Sequence, residues 1–461
     1  MIQPALAQAV LARALKTGGD FAEIFAEDTL SNNLTMTDNR MENALSAHRY
    51  GAGLRVFKGS QTVYVYTNDL TEAGLTRLAD QAAAAMGAAQ VQGPAFSLIE
   101  RYNPNINPCR VVPSSASTAR KVPIVKAAYA AAKDADPSIV QVSSTLLDVD
   151  QKVLIANSEG LYTTDRRIRT RLALTAIASN GSENQQGYVG PGARRGLELF
   201  EEMIDPAAQG KEAARIAVTM LNAPQCPAGI MPVVIDNGFG GVIFHEACGH
   251  SLEATSVGRG NSVFCGKLGQ KIASDVVTAV DDGTLPGEWG SLNIDDEGQP
   301  TARNVLIENG ILKSYLIDRL GSRRLNLPMT GSGRRESYQY APTSRMTNTF
   351  IVNGKDSTQE MIATMGDGLF CAKMGGGSVN PVTGEFNFAV LEGYLVKDGK
   401  IDHPVRGATL IGKGSEVLFN IDRVGGNLSQ AQGMCGSLSG SVPTNVGQPM
   451  IRVTKMTVGG R

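Results

Sequence analysis

The chain has 461 residues, with 43 Lys+Arg against 44 Asp+Glu and a formal charge of −1, a balance that excludes a surface dominated by nucleic-acid or membrane electrostatics. Hydrophobic residues at 42%, aromatics at only 5% and 52 glycines fit a turn-rich, sheet-containing globular protein and exclude a disordered one. Six scattered cysteines without a C-x-x-C pair, no apolar run of membrane-spanning length and no basic signal-peptide start argue for a soluble cytoplasmic protein with no disulfide scaffold.

The length suits about three domains. Residues 4–16 read as an amphipathic helix stopped by Gly18-Gly19. Strand-like runs follow at 21–26 and 33–36, then at 52–56 and 62–66 around a Lys58-Gly59-Ser60 hairpin turn. An Ala- and Leu-rich helix over 71–86 closes a first α+β domain, residues 1–90. Proline-rich residues 91–115 read as a linker or long loop. A helix near 124–134, alternating segments at 139–142, 152–155 and 169–178, and a helix at 206–221 make a central α+β domain, residues 116–227.

Residues 228–461 are glycine-rich and mostly short strands. Hairpins are expected at 303–313, around Asn309-Gly310, and at 394–401, around Asp398-Gly399, because right-handed strand twist favours such turns. Helices are expected only at 240–254 and near 357–365. The fold class is therefore α+β, with N-terminal α+β segments followed by a β-rich domain.

The chain has only four histidines, and two of them bracket a glutamate in Phe244-His245-Glu246-Ala247-Cys248-Gly249-His250. Imidazole is the commonest zinc ligand, and a neighbouring glutamate can take a proton from water. The spacing H-E-x-x-x-H is one residue longer than the familiar H-E-x-x-H. On a regular helix residues four apart are offset by about 40°, but residues five apart by about 140°. A shared ion would need a π-bulge or a helix break before the second histidine, and Gly249 sits where either distortion falls.

A catalytic zinc site adds one further protein ligand. Cys248, Cys265, Cys371, Cys435, His403 or a carboxylate could supply it; Cys248 is too close along the same segment to complete a tetrahedron easily. Cys435 lies in Gly433-Met434-Cys435-Gly436, which reads as a flexible bend. The acidic residues Asp281, Asp282, Asp295, Asp296 and Glu297 read as turn chemistry rather than a second metal site. Gly375-Gly376-Gly377 lacks phosphate-loop spacing and reads as a point of close backbone approach.

The run from Phe244 to Glu253, together with those at 280–287, 290–298, 333–338, 345–349, 375–377, 407–412, 446–449 and 457–460, resembles the TldD/PmbA family of metalloproteases, specifically its metal-binding TldD branch. The resemblance spans essentially the full length. It implies His245 and His250 as zinc ligands, Glu246 as general base and Cys435 as the third ligand. It also implies a heterodimer with a non-catalytic PmbA/TldE-type paralogue, and short or unfolded peptides as substrates in an enclosed cavity. Tyr338, Arg335 and Arg345 are candidates for stabilising an oxyanion. No nucleic-acid or membrane partner is expected. The rival expectation is a non-enzymatic regulator or adaptor with a structural metal site, closed by four protein ligands.

Overall fold

The computed structural model describes residues 1–87, 91, 93–380 and 382–460. The expected boundary at residue 90 and the final residue of the expected third domain, 461, lie outside the described residues.

The first half of the chain is organised by one long strand. The runs expected at 21–26 and 33–36 are a single strand, Phe21–Thr37, and the polar residues between them are paired rather than looped out. An Asp38-Asn39 turn with positive φ at both residues returns the chain into Arg40–Lys58, the geometry that suits strand twist. On its other side Phe21–Thr37 pairs with Ile139–Asn157. The two N-terminal segments therefore share one eight-stranded sheet, whose main path runs Gln61–Thr67, Arg40–Lys58, Phe21–Thr37, Ile139–Asn157, Leu161–Ser179 and Ile99–Glu100.

Side chains alternate along a strand, which decides what each face meets. Ile24 and Ala26 pack with helices Pro4–Ala14 and Glu72–Met86. Leu34 and Met36, on the same face, pack with Thr118–Lys133 and Pro206–Leu221. The helix expected from 124 starts six residues earlier and runs through Pro123. The opposite face carries Glu23, Phe25 and Glu27, which are buried and meet the C-terminal residues described below.

The C-terminal region is built from a six-stranded and a seven-stranded sheet. In the latter, Gly368–Val379, Gly229–Ile235, Ile451–Gly459, Thr409–Lys413 and Glu385–Lys397 pair in turn, and the last pairs back with the first. The ring closes into a small barrel and leaves these strands no long free edge. Both expected hairpins form, with positive φ at Asn309, Gly310, Asp398 and Gly399. The sequence reading missed a helix at Arg319–Leu325, whose first turn Asp318 caps by accepting from the Gly321 N–H at 3.1 Å. Gly377, not the whole glycine triplet, is the close approach: a Cβ there would lie 2.0 Å from the Asn387 carbonyl, whereas Gly376 faces open space.

Buried charge joins the N-terminal sheet to the C-terminal region. Arg55 donates to Glu297 at 2.6 Å, Arg335 to Glu23 at 3.1 Å, and Arg167 pairs with Asp296, every one of these side chains nearly inaccessible. Phe25, Val153 and Ile155 pack against Ile294 and Tyr338 beside them.

Candidate metal centre

The segment 238–252 shows how the long spacing is absorbed. After strand Gly229–Ile235, a helix spans Val242–Ala247 and ends at Cys248, whose backbone (φ −129°, ψ −50°) leaves the helical region. A 3₁₀ turn, Gly249–Leu252, carries the second histidine. The helix therefore breaks rather than bulges, and the break sits at Cys248. Gly249 serves a different purpose from the one expected: a Cβ there would lie 2.2 Å from the sulfur of buried Met346.

Cys435 arrives from 190 residues away. The segment expected as a flexible bend is regular strand, Ser429–Ser437, paired with Gly440–Gln448 at the free edge of the six-stranded sheet. Close contact joins this hairpin to the histidine helix. Gly241, just before Val242, abuts Gly447, so that a Cβ on Gly241 would fall 2.5 Å from backbone atoms of Gly447. Helix and hairpin are thereby fixed against each other.

The result is a buried cluster. Cys435 Sγ lies 3.2 Å from Nε2 of His245 and 3.2 Å from Nε2 of His250. The three donor atoms all lie within 4.8 Å of one another, and among the described residues this is the one His/Cys/Asp/Glu group gathered closely enough to hold an ion. Tetrahedral zinc with bonds of about 2.0–2.3 Å separates its ligand atoms by roughly 3.3–3.8 Å, so two imidazoles and a sulfur at this spacing fit. Burial works against charge on either partner. Even so, the Glu253 carboxylate and the Cys435 sulfur hold the His250 imidazole well above its ordinary range, and the two imidazoles pull the Cys435 thiol well below its own. The sulfur is thus poised as thiolate, its ligand form.

Glu246 stands beside the cluster, its Oε2 3.7 Å from Nε2 of His250, with its side chain 21% exposed. It alone among these groups combines proximity to the donors with access from outside. Behind the cluster, Nδ1 of His250 faces Oε1 of Glu253 at 3.2 Å. Arg345 connects the two halves: its Nε lies 3.7 Å from the same Glu253 oxygen, and its Nη2 donates to the Cys435 carbonyl. Glu253 and Arg345 thus link the segment that carries His250 to the strand that carries Cys435. Glu253 was visible three residues beyond His250, but its role was not read from the sequence.

The other candidates are elsewhere. Cys371 is buried in the main C-terminal core, Cys265 donates to the Val257 carbonyl, and His403 is exposed beside Asp402. Cys248 is buried in the same core, where burial raises its thiol pKa. Asp281 accepts from Thr347 and Thr349, Asp282 caps the turn at Thr284, and Asp295 accepts from three backbone N–H groups. Asp296 and Glu297 answer arginines. Of the three oxyanion candidates, Arg345 reaches the cluster but its Nη1 and Nη2 donate to backbone and Ser439; Arg335 and Tyr338 line a separate cavity.

Three family models cover the chain in succession: the PmbA/TldA metallopeptidase domain 1 over residues 22–86, the central domain over 112–221 and the C-terminal domain over 228–460. The chain belongs to the PmbA/TldD metallopeptidase family. The metalloprotease TldD homolog of Haemophilus influenzae is 36% identical over 96% of this chain and 93% of its own. A metalloprotease of Methanothermobacter thermautotrophicus is 32% identical over 96% of each chain. The fold of TldE from Thermococcus kodakarensis superposes with a TM-score of 0.78 at 19% identity, covering 99% of this chain and 100% of that one. This PmbA/TldD chain is accordingly a metallopeptidase, and no helix among its described residues is long and apolar enough to cross a membrane.

Proposed function

We propose that the chain is a zinc-dependent peptidase of short or unfolded peptides, with His245, His250 and Cys435 as ligands and Glu246 as general base. The observation that carries this reading is the approach of both Nε2 atoms to one sulfur beside a solvent-accessible carboxylate. Support for zinc comes from the N,N,S donor set and from a relative in Saccharolobus solfataricus named zinc metalloprotease TldD homolog, 32% identical over 53% of this chain.

His245, His250 and Cys435 would hold a zinc ion, which when bound would supply Lewis acidity toward the scissile carbonyl and a water. The chain's own residues do the rest. Glu246 accepts the proton of the attacking water and returns it to the leaving amine. Glu253 fixes the His250 ring through Nδ1, leaving Nε2 for the ion. An extended peptide adds along the outer side of Ser429–Ser437, the last strand of its sheet, through the main-chain groups that Arg171, Trp289 and Arg345 do not already engage, so recognition is weakly selective in side chains and excludes folded domains. The chain acts in the cytoplasm together with a non-catalytic PmbA/TldE-type paralogue that helps enclose the site.

The deciding experiment is Glu246→Gln. It is expected to retain zinc but lose peptide hydrolysis at least about a hundredfold. Near wild-type turnover with zinc bound would overturn the general-base assignment. A metal resistant to chelation, with no hydrolysis of any unfolded peptide by the wild type or its complex, would favour a purely structural site.

A further inference from the structure

A cavity of about 650 Å³ lies between the N-terminal sheet and the C-terminal region. Its walls carry several arginines, and their partners divide them into two sets. Arg167 is matched by Asp296, Arg335 by Glu23, and Arg49 lies 3.8 Å from Glu336. Arg169, Arg171 and Arg334 have no such match among the described residues. Arg169 donates to the carbonyls of Trp289 and Ser291, Arg171 to those of Gly190 and Gln432 and to the Tyr188 hydroxyl, and Arg334 to those of Met346 and Pro443 and to Thr444 Oγ1.

Carbonyl oxygens satisfy hydrogen bonds but do not neutralise charge. Arg169 and Arg334 are 5% and 2% exposed; burial holds Arg334 down to about 10 even though Asp296 and Asp281 act on it from beyond ion-pair distance, and buried charge without a direct partner is costly. Among the charges acting on Arg169, those of Arg194, Arg334 and Arg167 outweigh that of Asp165; burial and this repulsion together hold it well below the ordinary guanidinium range. The wall thus carries six arginines against the carboxylates of Asp296 and Glu336.

The cavity also reaches the strand that carries Cys435. Met434 lines it, and the next residue turns its sulfur to the histidines. Cavity and metal centre therefore lie on opposite faces of one edge strand. A peptide running along that edge passes both.

We infer that this cavity holds a carboxylate of the peptide substrate, with Arg169, Arg171 and Arg334 as its counter-charge. The inference rests on the peptidase reading for its ligand, though not for its test. A C-terminal carboxylate and an acidic side chain offer the same chemistry. A terminal carboxylate would anchor any sequence, in keeping with main-chain recognition.

Trp289, the chain's only tryptophan, lines the cavity, and the Arg171 guanidinium lies 5.6 Å from its ring centre. Its emission reports occupancy without hydrolysis. The Glu246→Gln protein would be titrated with one unstructured peptide in three forms: free acid, C-terminal amide, and amide with an internal glutamate. Anisotropy of labelled peptides would repeat the series in complex with the paralogue. The free acid is expected to bind about tenfold or more tightly than the plain amide, the strength of a charge-assisted pair. A glutamate-bearing amide that matches the acid assigns the carboxylate to side chains; one that matches the plain amide assigns it to the terminus. Arg171→Gln, at a partly exposed position, is expected to erase the preference, and Arg169→Gln to do the same if it folds. Equal binding of all three forms, or a preference intact in Arg171→Gln, would overturn the inference. Continued hydrolysis by Glu246→Gln would instead defeat the general-base assignment and leave the binding comparison standing.

Discussion

At the scale of single residues, the candidate centre depends on groups that do not touch an ion. Glu253 orients His250 and Arg345 ties Glu253 to the Cys435 carbonyl. Carboxylates behind a ligand histidine typically contribute 10–100-fold in metal affinity, so Glu253→Ala is expected to weaken zinc binding by about that factor, read by competition against a chromophoric chelator. Cys435→Ala is expected to abolish stoichiometric binding in the same assay. His245 and His250, which the fold brings together with Cys435, and Glu246 between them could be picked out in the sequence because one local motif carries them. Cys435 was one of several candidates on chemistry alone and was singled out only by resemblance, since nothing within 190 residues of sequence marks which sulfur folds back. Arg335 and Tyr338 were misleading for the opposite reason: both sit in conspicuous runs, but their partners Glu23 and Glu27 belong to the distant N-terminal strand.

At the scale of elements, the contact that brings the two halves together is Gly241 against Gly447. A methyl group on Gly241 would push the helix away from the hairpin. Gly241→Ala is therefore expected to cost about 1–3 kcal/mol of stability, as overpacking does, and to weaken zinc binding although every ligand remains; denaturant unfolding and the chelator assay would measure the two effects. The tight turns at Asn309-Gly310 and Asp398-Gly399 were readable because their chemistry is local. The extent of Phe21–Thr37 was not, because polar residues that look like a loop in sequence pair with a strand more than a hundred positions away. The helix break at Cys248 was one of two geometric options, and spacing alone could not choose between them.

At the scale of the whole molecule, buried ion pairs hold the N-terminal sheet against the C-terminal region. Removing one partner of such a pair strands the other charge, at a cost of about 3–5 kcal/mol. Arg55→Ala would leave Glu297 without its 2.6 Å partner, but burial already pushes that carboxyl up to about 8, so it takes a proton and the unfolding free energy in urea titrations is expected to fall by about 1–3 kcal/mol, the cost of an unsatisfied buried polar group. The sheet's helices were anticipated as two separate α+β units; that they line one face, freeing the other for this contact, follows from strand pairing that composition does not reveal.

The separation between the histidine segment and its sulfur also governs when the protein becomes competent during its own synthesis. Strand Gly229–Ile235, which leads into the histidine helix, pairs on one side with Gly368–Val379 but finds its second neighbour, Ile451–Gly459, only near the far end of the described chain, and Cys435 emerges only shortly before it. Fragments ending before residue 429 are expected to lack stoichiometric zinc, as equilibrium dialysis would show. On the proposed reading, a peptidase of unfolded chains would itself be an unfolded chain while nascent, surrounded on the ribosome by others. Because Cys435 lies so late in the chain, a cutting centre built on this cluster would stay unassembled while the polypeptide is most vulnerable to it.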